Sequence, residues 1–237
     1  MKLIESKRNC TNCIRKECFI NKYYSDDWKA FFTKNKTTFI VKPGEKIFSK
    51  GEQVKGIYTI YSGYIKVFDF DDKTERIVDL ATKGDILGSR ALGKNSKEYT
   101  VSAEALSECE ITFFSVDILR LAMESNKDLV FFIIDILTKK LRKAEILNRD
   151  FQKLTAREKI ICSINEIINV FGIDEDTGTY LNFTPKRKDL AAHAGTTYET
   201  VVRVLSDLDK EQLIKIDGKK ILILNRQFFS ENSLCQF

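Results

Sequence analysis

Two groups of residues in this 237-residue chain have types and spacings that could do chemistry. Cys10, Cys13 and Cys18 form a Cys-x2-Cys-x4-Cys run near the N-terminus, while Cys109, Cys162 and Cys235 stand singly. Thiolates are soft metal ligands, and Lys7, Arg8, Arg15 and Lys16 around the run would favour the thiolate form. The second group is Asp189–Leu213. Leu190, Ala191 and Ala194 give a first helix one apolar side, and Gly195 supplies a sharp turn. Thr196 or Thr197 then caps a second helix whose Val201, Val204, Leu205 and Leu208 point inward. Its opposite face presents Tyr198, Glu199, Val202 and Arg203. A structural helix hairpin could share this pattern. Small residues at the crossing, a glycine turn and a Glu-x-x-x-Arg pair favour a helix-turn-helix that meets base edges in the major groove.

Those groups need a scaffold, and the pattern along the chain predicts one. Residues 1–30 are polar and Cys-bearing, with a short helix expected around Asp26–Phe32. Short β runs follow at Thr37–Val41, Lys46–Phe48, Ile57–Tyr61, Tyr64–Phe70, Arg76–Leu80, Tyr99–Ala103 and Cys109–Phe114. Turn residues separate them, as in Pro43-Gly44, Ser62-Gly63 and Lys83-Gly84-Asp85, which indicates an antiparallel roll. Ser115 caps a helix to Met123, and one long helix runs from after Ser125-Asn126 to about Phe151. Val130, Ile133, Leu137, Leu141, Ala144, Leu147 and Phe151 step by threes and fours along it, as a homodimer seam does. Thr155-Ala-Arg-Glu158 is a capping box, and its helix ends at Gly172. Asp174–Gly178 reads as a loop, Thr184-Pro185 as a helix start, and Ile214–Leu224 around Asp217-Gly218 as a β-hairpin wing. The fold class expected is α+β. Its parts are an N-terminal segment (1–30), a β-roll (31–124), a dimerisation helix (125–152) and a winged helix-turn-helix (153–237).

Hydrophobic residues make up 43% and charged residues 31%, as in a folded soluble chain, and the net charge is +5. A mildly basic balance permits nucleic-acid binding without arguing for it. The apolar run Leu129–Ile134 stops at Asp135, so neither secretion nor membrane spanning is expected. A cytoplasmic location follows, with cysteines as reduced thiols or metal ligands. No phosphate-binding glycine loop, histidine-based pair or clustered carboxylates suggest an enzyme.

A roll, a long helix and a winged helix-turn-helix in this order resemble the Crp/Fnr family of bacterial transcription regulators. The resemblance rests on Pro43-Gly44-Glu45, Gly56–Gly63, Lys83-Gly84-Asp85 and Glu199-Thr-Val-Val-Arg203. Within the family the oxygen-sensing Fnr branch looks nearest. Its resemblance implies an iron–sulfur cluster, of the 4Fe-4S kind, on Cys10, Cys13, Cys18 and Cys109. The gap between Cys13 and Cys18 is one residue shorter than in that branch, and zinc or no metal are the alternatives. The branch also carries a carboxylate on its dimer face where this chain has Ala144, which implies a dimer that persists without a cluster.

The segment Ile86-Leu87-Gly88-Ser89-Arg90 lacks the Glu and the Arg-Ser pair that hold a cyclic nucleotide, so cyclic AMP is not expected. Arg90 or Lys97 could meet another anion, leaving a small effector in the roll as one alternative and a zinc- or thiol-stabilised adaptor as another. Haem is weakly supported, because the one histidine, His193, falls in the DNA motif. By resemblance Glu199 and Arg203 read bases, Glu accepting from cytosine N4 and Arg donating to guanine. Val202 suits a thymine methyl, and Lys186, Arg187, Thr196, Thr197, Tyr198, Lys219 and Lys220 are candidates for the backbone. Palindromic double-stranded DNA with half-sites ~34 Å apart is the expected partner, with RNA polymerase beside it.

Overall fold

Alternating burial along short strands builds the N-terminal half of the computed structural model. The structure describes residues 1–4, 9–16, 18–72, 74–93, 97–150, 153–174 and 179–232. Lys7, Arg8, Phe151, Gln152, Cys235 and most of the expected Asp174–Gly178 loop lie outside the described residues. Strands β1 (Lys2–Ile4), β2 (Thr37–Val41), β4 (Gly56–Ser62), β7 (Ile86–Leu87) and β9 (Cys109–Ser115) form one sheet in the order β1-β2-β9-β4-β7. A second sheet runs β3-β8-β5-β6, from β3 (Lys46–Phe48), β5 (Ile65–Asp71), β6 (Thr74–Ala81) and β8 (Ser102–Ala105). Pairing of β9 with β2 and β4 is antiparallel, with a bulge between Ile60 and Ser62. Contacts divide the chain into two compact units, Met1–Val67 with Ala81–Lys139 and Phe68–Leu80 with Lys140–Phe237.

In the first unit, Phe48 of β3 stacks on Tyr99 at 4.2 Å and on Tyr58 of β4 at 5.9 Å between ring centroids. All three rings are buried, and the Tyr99 hydroxyl donates to the Gly56 carbonyl at 2.7 Å. The expected strand at Tyr99–Ala103 lies later, at Ser102–Ala105, while the Tyr99 backbone bonds separately to Gly51 and Glu52 at 2.9 Å each. Burial pushes the Tyr58 hydroxyl up to about 12.

The N-terminal segment is more ordered than its polarity suggested. Helix α1 (Phe19–Tyr23) and α2 (Asp26–Lys34) set Phe19 and Phe32 edge-on to each other and to Phe114 of β9, at 5.6–6.1 Å. Helix α3 (Val116–Ser125), capped by Ser115, closes this cluster, and the Tyr24 hydroxyl donates to the Ala122 carbonyl at 2.6 Å.

Helix α4 (Lys127–Asp150) is the long helix expected. Its apolar residues are shared differently from the predicted seam. Ile133 is buried in the first unit's core with Leu129, and Leu137 packs against it, whereas Phe131, Ile134 and Leu141 are exposed at 64%, 48% and 60%. The outward stripe is thus Phe131–Ile134–Leu141, because the roll has used the neighbouring stripe.

The second unit holds α5 (Ala156–Phe171), α6 (Arg187–Ala194), α7 (Tyr198–Lys210), the hairpin β10 (Ile214–Asp217) and β11 (Lys220–Ile223), and α8 (Arg226–Glu231). Thr155 and Glu158 form the full capping box, and Gly172 ends α5. One expected cap is corrected. Lys186, not Thr184, occupies the N-cap of α6, since the Thr184 hydroxyl accepts from the Ile221 amide at 3.3 Å and holds the wing.

Phe32 is fully buried among five other aromatic rings, those of Phe19, Tyr24, Trp28, Phe31 and Phe114. Phe32→Ala should cost about 3–5 kcal/mol of stability, read as the shift in chemical denaturation midpoint. A loss below ~1 kcal/mol would show that the N-terminal segment is not anchored there.

Candidate nucleic-acid interface and cysteine pocket

Helix α6 ends on Gly195, whose backbone takes φ 56 and ψ 43, a left-handed conformation that favours glycine. The Thr196 amide folds back to the Ala191 carbonyl at 3.0 Å, and Thr197 then caps α7 by accepting from the Thr200 amide at 3.2 Å. The cap is thus Thr197, with Thr196 in the turn. Val201, Val204, Leu205 and Leu208 are buried, while Tyr198, Glu199, Val202 and Arg203 are exposed on the first turns of α7. Glu199 and Arg203 form no ion pair with each other among the described residues. Both charged groups face outward at the helix start, spaced to enter one groove. Lys186, Lys219 and Lys220 are exposed around them. Arg187 has a second task, donating from Nη1 to the Lys219 carbonyl at 3.0 Å and tying α6 to the wing.

Behind α6 lies a buried chain of ion pairs, ending in a contact with His193, that sequence reading missed. Asp79 on β6 accepts from Lys140 at 2.7 Å and from Lys143 at 3.0 Å, both on α4. Lys143 also pairs with Glu166 on α5, and Glu166 lies 3.2 Å from His193 Nε2 on α6. Burial alone would raise the Asp79 carboxyl, but Lys143 and Lys140 outweigh it and hold it at about 2. Burial likewise opposes ionised Glu166, and His193 with Lys143 brings it to about 2. Lys143 rises above its ordinary value, since Glu166 and Asp79 overcome its desolvation. One clue was available. Glu166 interrupts an otherwise apolar buried face of Ile160, Ile164, Ile167 and Phe171.

Cys10, Cys13 and Cys18 line a single pocket in the first unit, together with Arg15, Lys36, Tyr61, Glu110 and Thr112. Cys10 begins a short 3-10 turn, and its amide donates to the Thr33 hydroxyl of α2 at 2.9 Å. The Asn21 side-chain amide of α1 donates to the Cys13 and Arg15 carbonyls at 2.8 and 2.9 Å, so both helices shape the loop. The Arg15 guanidinium stands 4.7 Å over the Tyr61 ring, and its Nε is buried without a partner. At Cys18 the shift runs opposite to the thiolate-favouring one expected. Burial pushes the Cys18 thiol up, against two backbone N–H groups, with Cys13 and Cys10 adding to the rise.

Cys109 does not line this pocket. Residues alternate faces along β9, so Glu110, Thr112 and Phe114 face the N-terminal segment and Cys109 faces the other side. Its Sγ is buried beneath the β4–β5 turn, near the Tyr64 and Ser107 carbonyls at 3.5 and 3.2 Å. Gly63 makes room for it with φ +101, for a Cβ there would meet Cys109 Sγ and the Glu108 carbonyl. Burial raises this thiol too. Among the described residues no three Cys, His, Asp or Glu side chains converge as a metal site, and the four cysteines do not fit one cluster as arranged.

In the roll, Arg90 and Lys97 are exposed and Ser89 is buried. The Tyr99 ring lies close to Gly88.

Residues 39–126 match the cyclic nucleotide-binding domain family, and residues 164–230 match the Crp-like helix-turn-helix domain. Electron transport regulator A of Shewanella oneidensis is 26% identical over 187 residues, spanning 78% of this chain and 74% of that one. The anaerobic regulatory protein of Bacillus subtilis is 25% identical over 182 residues, spanning 76% of each. The solved structure of FixK2 from Bradyrhizobium japonicum shares the fold with a TM-score of 0.74 and 20% identity, covering 85% of this chain and all but 1% of the other (99%).

The depressed carboxylates Asp79 and Glu166 set a pH dependence. Their contribution is fully present above pH ~4, where the unfolded carboxylates ionise, and is lost as pH falls towards about 2. Thermal midpoints taken between pH ~6 and ~2 should fall more steeply for the native chain than for Asp79→Asn. Parallel curves would mean that the Asp79 carboxylate adds no folding free energy.

Proposed function

Because the chain belongs to the Crp/Fnr family of DNA-binding transcription regulators, not enzymes, we propose that it acts as an anaerobic or redox-responsive member. On this reading it works in the cytoplasm as a homodimer, reads a palindromic duplex and meets RNA polymerase there. The division of labour is the one expected from sequence: an N-terminal Cys-bearing segment, a sensor roll, a pairing helix and a reading module. The exposed start of α7, with Glu199, Val202 and Arg203 on one outward face, is the observation that carries DNA reading. Glu199 and Arg203 read a G·C pair, Val202 lies against a thymine methyl, and Tyr198, Thr197, Thr196, Lys186 and Arg187 hold the backbone. Pairing through Phe131, Ile134 and Leu141 would remove their apolar surface from water, and Ala144 adds no charge to oppose it.

The redox part rests on three thiols in one pocket beside Arg15 and Lys36, and on what the relatives are called, an electron transport regulator and an anaerobic regulatory protein. A four-cysteine iron–sulfur cluster including Cys109 is not the arrangement supported, since that thiol faces away. The responsive element is therefore read as the trio Cys10, Cys13 and Cys18, with their bound species, cluster, zinc or none, set by measurement. Stacked Phe48, Tyr58 and Tyr99 leave the small-effector alternative without support inside the roll.

Arg203→Ala should relax discrimination at one base pair by ~1–3 kcal/mol, measured with operator variants at fixed salt. An equal loss on every sequence would make Arg203 a phosphate contact. Iron, sulfide and zinc are to be assayed in protein handled without oxygen. Cys13→Ser should abolish whatever is bound, and Cys109→Ala should leave its stoichiometry intact. Equal loss in both variants would return Cys109 to the ligand set.

A further inference from the structure

The buried ion chain of the second unit touches no base-reading residue, yet it ends on the helix that leads into the reader. Its members come from four separate elements: Asp79 on β6, Lys140 and Lys143 on α4, Glu166 on α5 and His193 on α6. The side chains of Asp79, Lys143, Glu166 and His193 are only 14%, 14%, 8% and 9% exposed. Water screens such links weakly, so each fixes the position of the next. A Lys143 ammonium shared by two carboxylates couples them, so a shift of either one changes the bonds it makes to the other.

We propose that this chain is a positioning relay, in which hairpin β5–β6 sets the seat of α6 and so the posture of α7. His193 lies two positions before Gly195, where the chain turns into α7. Its Nδ1 is buried without a partner, so Glu166 is the polar anchor of the ring among the described residues. At the other end of α6, Arg187 is tied to the wing through the Lys219 carbonyl. The first helix of the motif is thus held at both ends, once by the wing and once by a path that starts on the roll's hairpin. Simple stabilisation would not require charge here. Apolar residues of like size commonly replace buried ion pairs at no loss of stability, whereas ion pairs with directional hydrogen bonds select one seat over near alternatives.

The proposal rests on the reading that α7 contacts DNA, and the test separates the two. Removing Lys143 would take the shared cation from two buried carboxylates and endanger folding, so the ends of the chain are changed instead, as Asp79→Asn, His193→Gln and both together. Hydrogen exchange of the α6 amides and of the Gly195 turn is measured alongside affinity for a palindromic and a scrambled duplex. Asp79→Asn should speed α6 exchange severalfold and weaken palindrome binding ~tenfold, with less than ~twofold change on the scrambled duplex. The double variant should lose no more than the worse single one, because both ends belong to one path. Unchanged α6 exchange in Asp79→Asn, or losses that multiply in the double variant, would overturn the relay. So would an equal loss on both duplexes. A native protein that fails to distinguish the duplexes, while α6 exchange responds and couples as stated, would uphold the relay and sink the operator reading.

Discussion

An ammonium can leave water only with its counter-charges, and Lys143 has taken two carboxylates with it into the second unit. That single requirement decides which surfaces of the hairpin, α4, α5 and α6 come together there. Apolar packing would tolerate small slips between these elements, because it is non-directional. Charged hydrogen bonds do not, and a second one holds the other end of α6. Arg187 on the Lys219 carbonyl is the same device in smaller form.

Much of the architecture was legible because its determinants are local. The Thr155–Glu158 box, the Ser115 and Thr197 caps and the left-handed Gly195 each involve groups within a few residues of one another. The apolar side of α7 was equally plain from its spacing of three and four. Misreadings arose where a residue's partner is distant in sequence. Thr184 looks like a cap until the wing claims its hydroxyl, and Ile133 looks like a seam residue until the roll buries it. The ion chain from Asp79 to His193 spans more than a hundred positions and leaves one local trace, a glutamate among isoleucines.

The cysteines show the same divide. Spacing suggests that Cys10, Cys13 and Cys18 belong together, and the turn and helices around them do gather them at one pocket. No spacing rule reaches across ninety residues to say which face of β9 a side chain takes. Strand parity settles that, and it sends Glu110 rather than Cys109 towards the N-terminal segment. The N-terminal segment itself reads as polar with one short helix, yet Phe19, Tyr24 and Phe32 bury it against β9 and α3, which only the tertiary contacts reveal.

The plugged interior of the roll has a broader implication. A chamber already furnished with Phe48, Tyr58 and Tyr99 offers a visiting molecule no lodging without evicting a stacked ring. On the reading proposed above, a signal would reach these rings from outside, through the N-terminal segment that packs on β9.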